Sequence, residues 1–248
     1  LLLPVNKAQK SFVFVGAPNA GKSTLLNVVQ EILLGSENVS NIPWQNLGDR
    51  FNRAELFGKL ANIGDDIGDE FIANPAIFKK LVTGERVSAE RKGQNPFEFN
   101  NYSKLLFSAN NIPRIKDKTG AVQRRLTIIP FNATFSKADP DFKPYIKHEL
   151  KSDEVMEYLI TLGIAGLKRV LTNRAFTTSA KVQAAMDEYE ENNNPILGFF
   201  KECEDEEFQI ENEPTNKVYR RYQEFCLANS FQPMSSIEFS KQVNRILN

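Results

Sequence analysis

Near the amino terminus, Gly16-Ala17-Pro18-Asn19-Ala20-Gly21-Lys22-Ser23 carries the spacing G-x-x-x-x-G-K-S. Glycines at the turn let backbone amides approach phosphate oxygens closely, and the dipole of a following helix favours negative charge there. The pattern predicts a phosphate-binding loop in which Lys22 reaches the β- and γ-phosphates, Ser23 offers its hydroxyl to Mg2+ and Thr24 assists. Average residue frequencies produce such a match by chance in roughly one in a hundred chains of this length, before any structural context is demanded.

Splitting a phosphoanhydride also requires a carboxylate near the metal, usually at the end of a neighbouring strand. Leu60-Ala61-Asn62-Ile63-Gly64-Asp65-Asp66 supplies two. Asp65 is assigned to the metal and Asp66 to orienting or deprotonating the attacking water, with Asp69 and Glu70 as nearby alternates.

These groups need a scaffold. Ser11 to Val15 reads as a short buried strand, and Ser23 to Leu34 as a buried helix with Leu25, Leu26, Val28, Val29, Ile32 and Leu33 on its apolar positions. The loop therefore lies between a strand and a helix, the context its chemistry needs. Further strands are expected up to Asp65, from Lys104 to Ser108 and from Leu126 to Phe131. Strands alternating with helices predict a parallel sheet covered on both faces. From about Tyr145 the texture becomes helical, with Val155, Leu159, Leu162, Leu167 and Val170 in period, until Asn192-Asn193-Asn194-Pro195 interrupts it. Val218, Tyr222 and Phe225, then Phe239, Val243 and Ile246, mark two short amphipathic helices.

The loop and its continuation to Asn27 are very similar to the first motif of translation-factor-like GTPases, and Asp65-Asp66-Ile67-Gly68 satisfies their D-x-x-G. Guanine selection in that family uses N-K-x-D. Asn6-Lys7-Ala8-Gln9 precedes the loop and Asn216-Lys217-Val218-Tyr219 lacks the acid, so the guanine reader is missing.

A second resemblance covers more of the chain. Lys104-Leu105-Leu106-Phe107-Ser108-Ala109-Asn110-Asn111-Ile112-Pro113 is an apolar strand ending in an amide, and it resembles motif C of superfamily 3 helicases, particularly the primase-helicases of phages, plasmids and poxviruses. The resemblance places Asn110 at the γ-phosphate or its water. Gln123-Arg124-Arg125-Leu126-Thr127-Ile128-Ile129-Pro130-Phe131 resembles the segment of the same core whose arginine enters the neighbouring subunit's site, with Arg125 the first choice and Arg124 the second. Phe78 to Gly93 resembles the region leading to the hairpin that these helicases point into a central channel, which makes Arg91 and Lys92 candidates for DNA phosphates.

What the resemblance implies is an α/β fold: an AAA+ P-loop core with a parallel sheet over 1–135, a helical subdomain over 136–195, and a partial winged-helix-like module over 196–248. It further implies ATP and Mg2+ as cofactors, single-stranded or forked DNA and replication-initiation proteins as partners, a homo-oligomer of hexameric type, and movement from 3′ to 5′. Two alternatives share the phosphate chemistry: a nucleotide-gated origin or scaffold ATPase that does not separate strands, and an AAA+ remodeller acting on protein. The chain opens at Leu1, within a few residues of an apolar strand, which predicts a segment of a longer polypeptide; a wing would be expected beyond Asn248.

Composition agrees with a folded protein. The 248 residues are 41% hydrophobic and 25% charged, with 31 Lys plus Arg against 31 Asp plus Glu; wholesale disorder and fibrous repeats are excluded. The balance hides segregation: Lys79 to Arg125 is predominantly basic and Asp187 to Glu213 predominantly acidic. Cys203 and Cys226 lack partners at metal-ligand spacing, so neither a zinc site nor a disulfide framework is expected. No run of about 18 apolar residues exists to span a bilayer. These features predict a soluble protein in a reducing cytoplasm; the resemblance implies that this is the cytoplasm of a mobile element's host cell. His148 is expected on the surface, Trp44 in packing, and Phe97 and Phe99 in a core rather than stacked on bases.

Overall fold

The computed structural model describes residues 1, 6–65, 67–68, 72, 74–115, 120–140 and 142–247. The chain divides into two compact units, Leu1–Met186 and Asp187–Asn248.

Strand β1 (Ser11–Val15) is short and apolar on both sides, with Val13 and Phe14 buried, as suits a strand covered by protein on both faces. It leads through the glycine loop into helix α1 (Lys22–Asn27), which continues as a π-helical segment, Val28–Leu34. The single helix expected over 23–34 is thus divided, and Leu25 points outward while Leu26, Val28 and Leu34 are buried. Next come β2 (Val39–Ser40), the short helix α2 (Arg50–Arg53) and β3 (Ala61–Gly64). Asp49 caps α2 by accepting from Phe51 N and Asn52 N, the ordinary use of Asp at that position.

Helix α3 (Ala76–Thr83) ends at Gly84, whose φ of 77° supplies the left-handed cap that glycine adopts without strain. Strands β4 (Arg86–Ala89) and β5 (Phe97–Asn100) pair antiparallel as a hairpin. Strands β6 (Lys104–Ala109) and β7 (Leu126–Pro130) complete the main sheet.

Among the described residues that sheet has five strands in the order β2-β3-β6-β1-β7, all parallel. Strand β6 is inserted between β1 and β3, with Val15 opposite Ala109 and Gly64 opposite Phe107. The carboxyl ends of β1, β3 and β6 therefore share one edge, where open α/β sheets bind ligands. Phe14, Leu26, Leu34, Val39, Ala61, Ile63 and Leu106 form a buried cluster beneath α1. Trp44 stacks on Phe78 at 4.0 Å and packs against Phe107 at 5.0 Å, a core residue as its sequence context suggests.

Helices α4 (Ile146–Glu149), α5 (Asp153–Asn173) and α6 (Ala180–Asn193) follow. Ser152 Oγ caps α5 by accepting from Val155 N at 3.4 Å, and Asp153 and Glu154 complement the helix dipole in its first turn. The apolar period expected here does form a helix, yet no residue of α5 is buried and Leu162 and Leu167 are exposed. His148 lies exposed on α4.

In the second unit Asn194 accepts from Ile196 N at 3.0 Å and Pro195 occupies the first turn of α7 (Pro195–Asp205), which is why the Asn-Pro punctuation starts a helix. With α8 (Thr215–Ala228) and α9 (Ser236–Leu247) it encloses Ile196, Phe199, Cys203, Val218, Tyr222, Phe225, Cys226, Phe239 and Val243. Ile246, expected on the apolar face, is exposed. Both cysteines are free and buried; burial pushes the Cys203 thiol up to about 11 and also raises that of Cys226.

Candidate functional site

The loop after β1 has backbone constraints that explain its residues. A Cβ on Gly16 would stand 2.2 Å from the carbonyl oxygen of Phe131, so no side chain fits there. Gly21 has a φ of 91°, and Asn19 takes a φ of 62°, a conformation asparagine tolerates better than most residues. Gly16 N donates to Ala109 O at 3.3 Å, and Phe135 N donates to Asn19 O at 3.1 Å. The loop is thereby held between the end of β6 and the segment that follows β7.

Lys22 is almost fully buried, 8% exposed. Its Nζ donates to Gly16 O at 2.5 Å, to Ala17 O at 3.0 Å and to Asn110 Oδ1 at 3.3 Å. A buried ammonium needs such acceptors, and phosphate oxygens of the same geometry would serve it equally. Pro18, Asn19 and Ser23 are exposed beside it, Thr24 is half-buried, and Ala20 is buried, with its N–H bonded to Ala17 O.

Asp65 follows β3 at the same edge and is exposed. Ser108 Oγ donates to Asp65 Oδ1, and Ile67 N donates to Ser108 O at 2.9 Å. One serine, 2% exposed, therefore contacts both Asp65 and Ile67. Asp66, Asp69 and Glu70 lie outside the described residues. Among the described residues no cluster of three or more His, Cys, Asp or Glu side chains could hold a metal. Mg2+ commonly takes one or two carboxylates and completes its shell with waters and substrate phosphates, so Ser23 and Asp65 are the right kinds of donor for Mg2+ carried by a nucleotide.

Lys22, Gly16, Ala17 and Asn110 are thus brought into direct contact, and Asp65 is tied to the strand that carries Asn110. The arginines are not part of this grouping. Gln123–Arg125 is a 3-10 turn at the start of β7, where Leu126 pairs with Ser11 at the start of β1. The loop leaves the other end of β1, about 13 Å away at ~3.3 Å per residue. Arg124 is exposed; Arg125 Nη1 donates to Ala121 O at 2.7 Å while its buried Nε has no hydrogen-bond partner among the described residues.

Arg91 and Lys92 are exposed in the turn joining β4 to β5, where Gly93 has a φ of 75° and Gln94 N donates to Arg91 O at 2.9 Å. The Arg91 guanidinium stands 5.1 Å from the Phe97 ring centre and 5.8 Å from that of Phe57. Phe99 is buried and Phe97 half-buried, in keeping with a packing role. Arg53 anchors the hairpin: its Nε donates to Ser88 O at 2.7 Å, and its Nη1 to Leu47 O at 3.2 Å and Gly48 O at 3.3 Å. Burial lowers its pKa, partly offset by Asp49. Arg50 adds an ion pair with Glu90 at 2.9 Å. Reading the sequence missed Arg53, Ser108 and Phe135, because each acts through a partner distant in the chain and no local spacing announces it.

Residues 14–125 match a family of unknown function, DUF5906, and residues 191–248 match a family described as Poxvirus D5 protein-like. The chain is 23% identical over 252 residues to "Putative helicase 184R" of Invertebrate iridescent virus 6, a match that covers 87% of this chain and 25% of that protein. It therefore spans about a quarter of its curated relative. The NrS-1 C-terminal region superposes with a TM-score of 0.56 at 23% identity, over 74% of this chain and 43% of that one. JCV helicase aligns over 94% of this chain and 54% of its own at 15% identity, with a TM-score of 0.34 that supports no argument.

The five-strand parallel sheet with the G-x-x-x-x-G-K-S loop at its edge defines an α/β protein. Its likeness runs to viral replication proteins of helicase type. More particularly, the chain resembles the helicase modules of superfamily 3, with a poxvirus D5-like segment at its carboxyl end. Among the described residues no helix is long and apolar enough to cross a membrane.

Proposed function

We propose that this chain is the ATP-dependent DNA helicase module of a mobile-element replication protein, of phage or plasmid type, acting as a hexameric ring on single-stranded DNA in the host cytoplasm. The observation that carries the reading is the meeting of Lys22 with Asn110 at the edge where Asp65 ends β3. A γ-phosphate between Lys22 and Asn110 would take over the contacts that the lysine makes to Gly16 and Ala17. Amides of the loop from Gly16 to Gly21 would hold the β-phosphate, and Ser23 and Asp65 would hold Mg2+, with Thr24 assisting. Asp66 would orient the water that attacks the γ-phosphorus as the bond to ADP breaks.

Arg125, or Arg124 beside it, stands at the opposite sheet edge from its own loop. A guanidinium there serves a neighbouring subunit's phosphate more readily than its own, which supports an arginine supplied in trans. Arg91 and Lys92, at a hairpin tip, would neutralise DNA phosphates without reading sequence. We assign 1–135 to the ATPase core, 136–195 to a helical subdomain and 196–248 to a winged-helix-like module.

The test is ATP hydrolysis by the purified chain with and without single-stranded DNA, followed by unwinding of a forked duplex. DNA-stimulated hydrolysis, lost in Lys22→Ala, together with strand separation is the expected result. Stimulation without separation would move the assignment to an origin or scaffold ATPase, and full activity in Lys22→Ala would remove the site altogether.

A further inference from the structure

We propose that Phe135 is the wall of a nucleobase subsite that takes the purine of ATP, an inference that rests on the phosphate-loop reading above. The segment after β7 runs along the loop. Its Phe131 carbonyl closes on Gly16, and its Phe135 N–H bonds to Asn19 O at 3.1 Å. The Phe135 ring then lies over Gly21, with Cε2 3.6 Å from where a Cβ on that glycine would stand.

Half of Phe135 is nevertheless exposed, at 50%. A single exposed aromatic needs no explanation by itself; its place provides one. Lys22, through Gly16, Ala17 and Asn110, marks the limb of the loop that suits the terminal phosphate. Asn19 and Gly21 form the other limb, beyond Pro18. A triphosphate whose γ end meets Asn110 directs its base towards that other limb, where Phe135 presents an open ring. Phe131, the other ring on this segment, is engaged edge-on with Phe14 at 5.7 Å. An aromatic face accepts any base by stacking, and more strongly a large one. Phe135 would accordingly add affinity for purine nucleotides without choosing between adenine and guanine.

The experiment compares binding of ATP and of inorganic tripolyphosphate, each with Mg2+, by calorimetric titration of the wild type, Phe135→Ala and Phe135→Trp. The hydrogen bond to Asn19 is made by backbone and survives both substitutions. Phe135→Ala should weaken ATP about tenfold and leave tripolyphosphate unchanged, while Phe135→Trp should retain ATP. Equal weakening of both ligands would show that the ring merely props the loop, and unchanged ATP binding in Phe135→Ala would show that no stack exists; either result overturns the subsite. A wild type that binds neither ligand would overturn the phosphate-loop reading itself, and the subsite with it.

Discussion

Lys22 Nζ and Asn110 Oδ1 lie 3.3 Å apart although 88 residues separate them in the chain. The contact exists because β6 lies directly beside β1, so that the residues following Val15 and Ala109 emerge together. If the pair grips the γ-phosphate, its two members should fail differently. Lys22→Ala should abolish nucleotide binding and hydrolysis together. Asn110→Ala should retain ATP but lower kcat by ~10²-fold, the usual loss when one donor to developing charge is removed. Steady-state hydrolysis paired with equilibrium ATP binding separates the two.

Ser108 should act as a positioning residue for Asp65, since its hydroxyl donates to the carboxylate oxygen Oδ1 and fixes how the acid is presented. Ser108→Ala should raise the Mg2+ concentration for half-maximal hydrolysis several-fold, and Ser108→Thr should restore it. The lost hydrogen bond costs about 0.5–1.5 kcal/mol of stability. A Mg2+ titration of hydrolysis beside ATP binding in chelator gives the decision; loss of metal-free ATP binding would point to general damage instead.

Arg53 and the Arg91–Lys92 tip should separate stability from DNA affinity. Arg53→Ala would leave Ser88, Leu47 and Gly48 carbonyls unanswered at the hairpin root, a loss of about 2–4 kcal/mol for a buried charged donor. Lys cannot replace its planar fork. Lys92→Ala should instead leave stability within about 0.5 kcal/mol and Arg91→Ala, which loses its contacts with the Phe97 and Phe57 rings, should cost no more than about 1 kcal/mol, while each lowers the salt slope of DNA binding by about 1. Denaturant titrations and DNA binding at several salt concentrations test both halves.

Arg125 stands at the far edge of the sheet from its own loop, and a role in trans predicts complementation. Arg125→Ala and Lys22→Ala proteins should each be inactive alone, and mixing them should restore part of the hydrolysis at interfaces that pair an intact loop with an intact arginine. A mixed ring without rescue would exclude the trans role. Arg124→Ala is the companion variant, and equal loss there would transfer the assignment.

The second unit should lose stability in alkali. Its buried thiols favour the protonated form, with Cys203 raised from 9.0 to about 11. An acid whose folded pKa is raised stabilises the fold below the unfolded value and loses that contribution as pH climbs to the folded one. Denaturation midpoints should fall between about pH 9 and 11, and Cys203→Ser should flatten the fall. Thiol alkylation at pH 8 should be slow in the native protein and rapid in denaturant.

Much of the core was legible because its signals are local. Ser11–Val15 is an apolar run closed by a glycine turn, and both strand and loop occur where that pattern puts them. The strand at Leu126–Pro130 and the helix started by Asn194-Pro195 are equally local, since turn, cap and proline chemistry act within a few residues. Periodicity was less informative about burial. The apolar stripe of α5 predicts a helix and is one, but a stripe specifies only which side could be covered, and α5 buries no residue.

The sequence by itself determined the glycine loop after β1, through Gly16, where no side chain fits, and Gly21 with its positive φ, and it named the groups that could serve a phosphate there. Tertiary structure alone decided which of them meet. The insertion of β6 between β1 and β3 puts Asn110 on Lys22 and Ser108 on Asp65. The same parallel register sends Arg125 to the opposite edge, and the path after β7 lays Phe135 over Gly21. The physical reason is that strand order is set by long-range hydrogen bonding and burial of whole faces, which residues close in sequence do not encode.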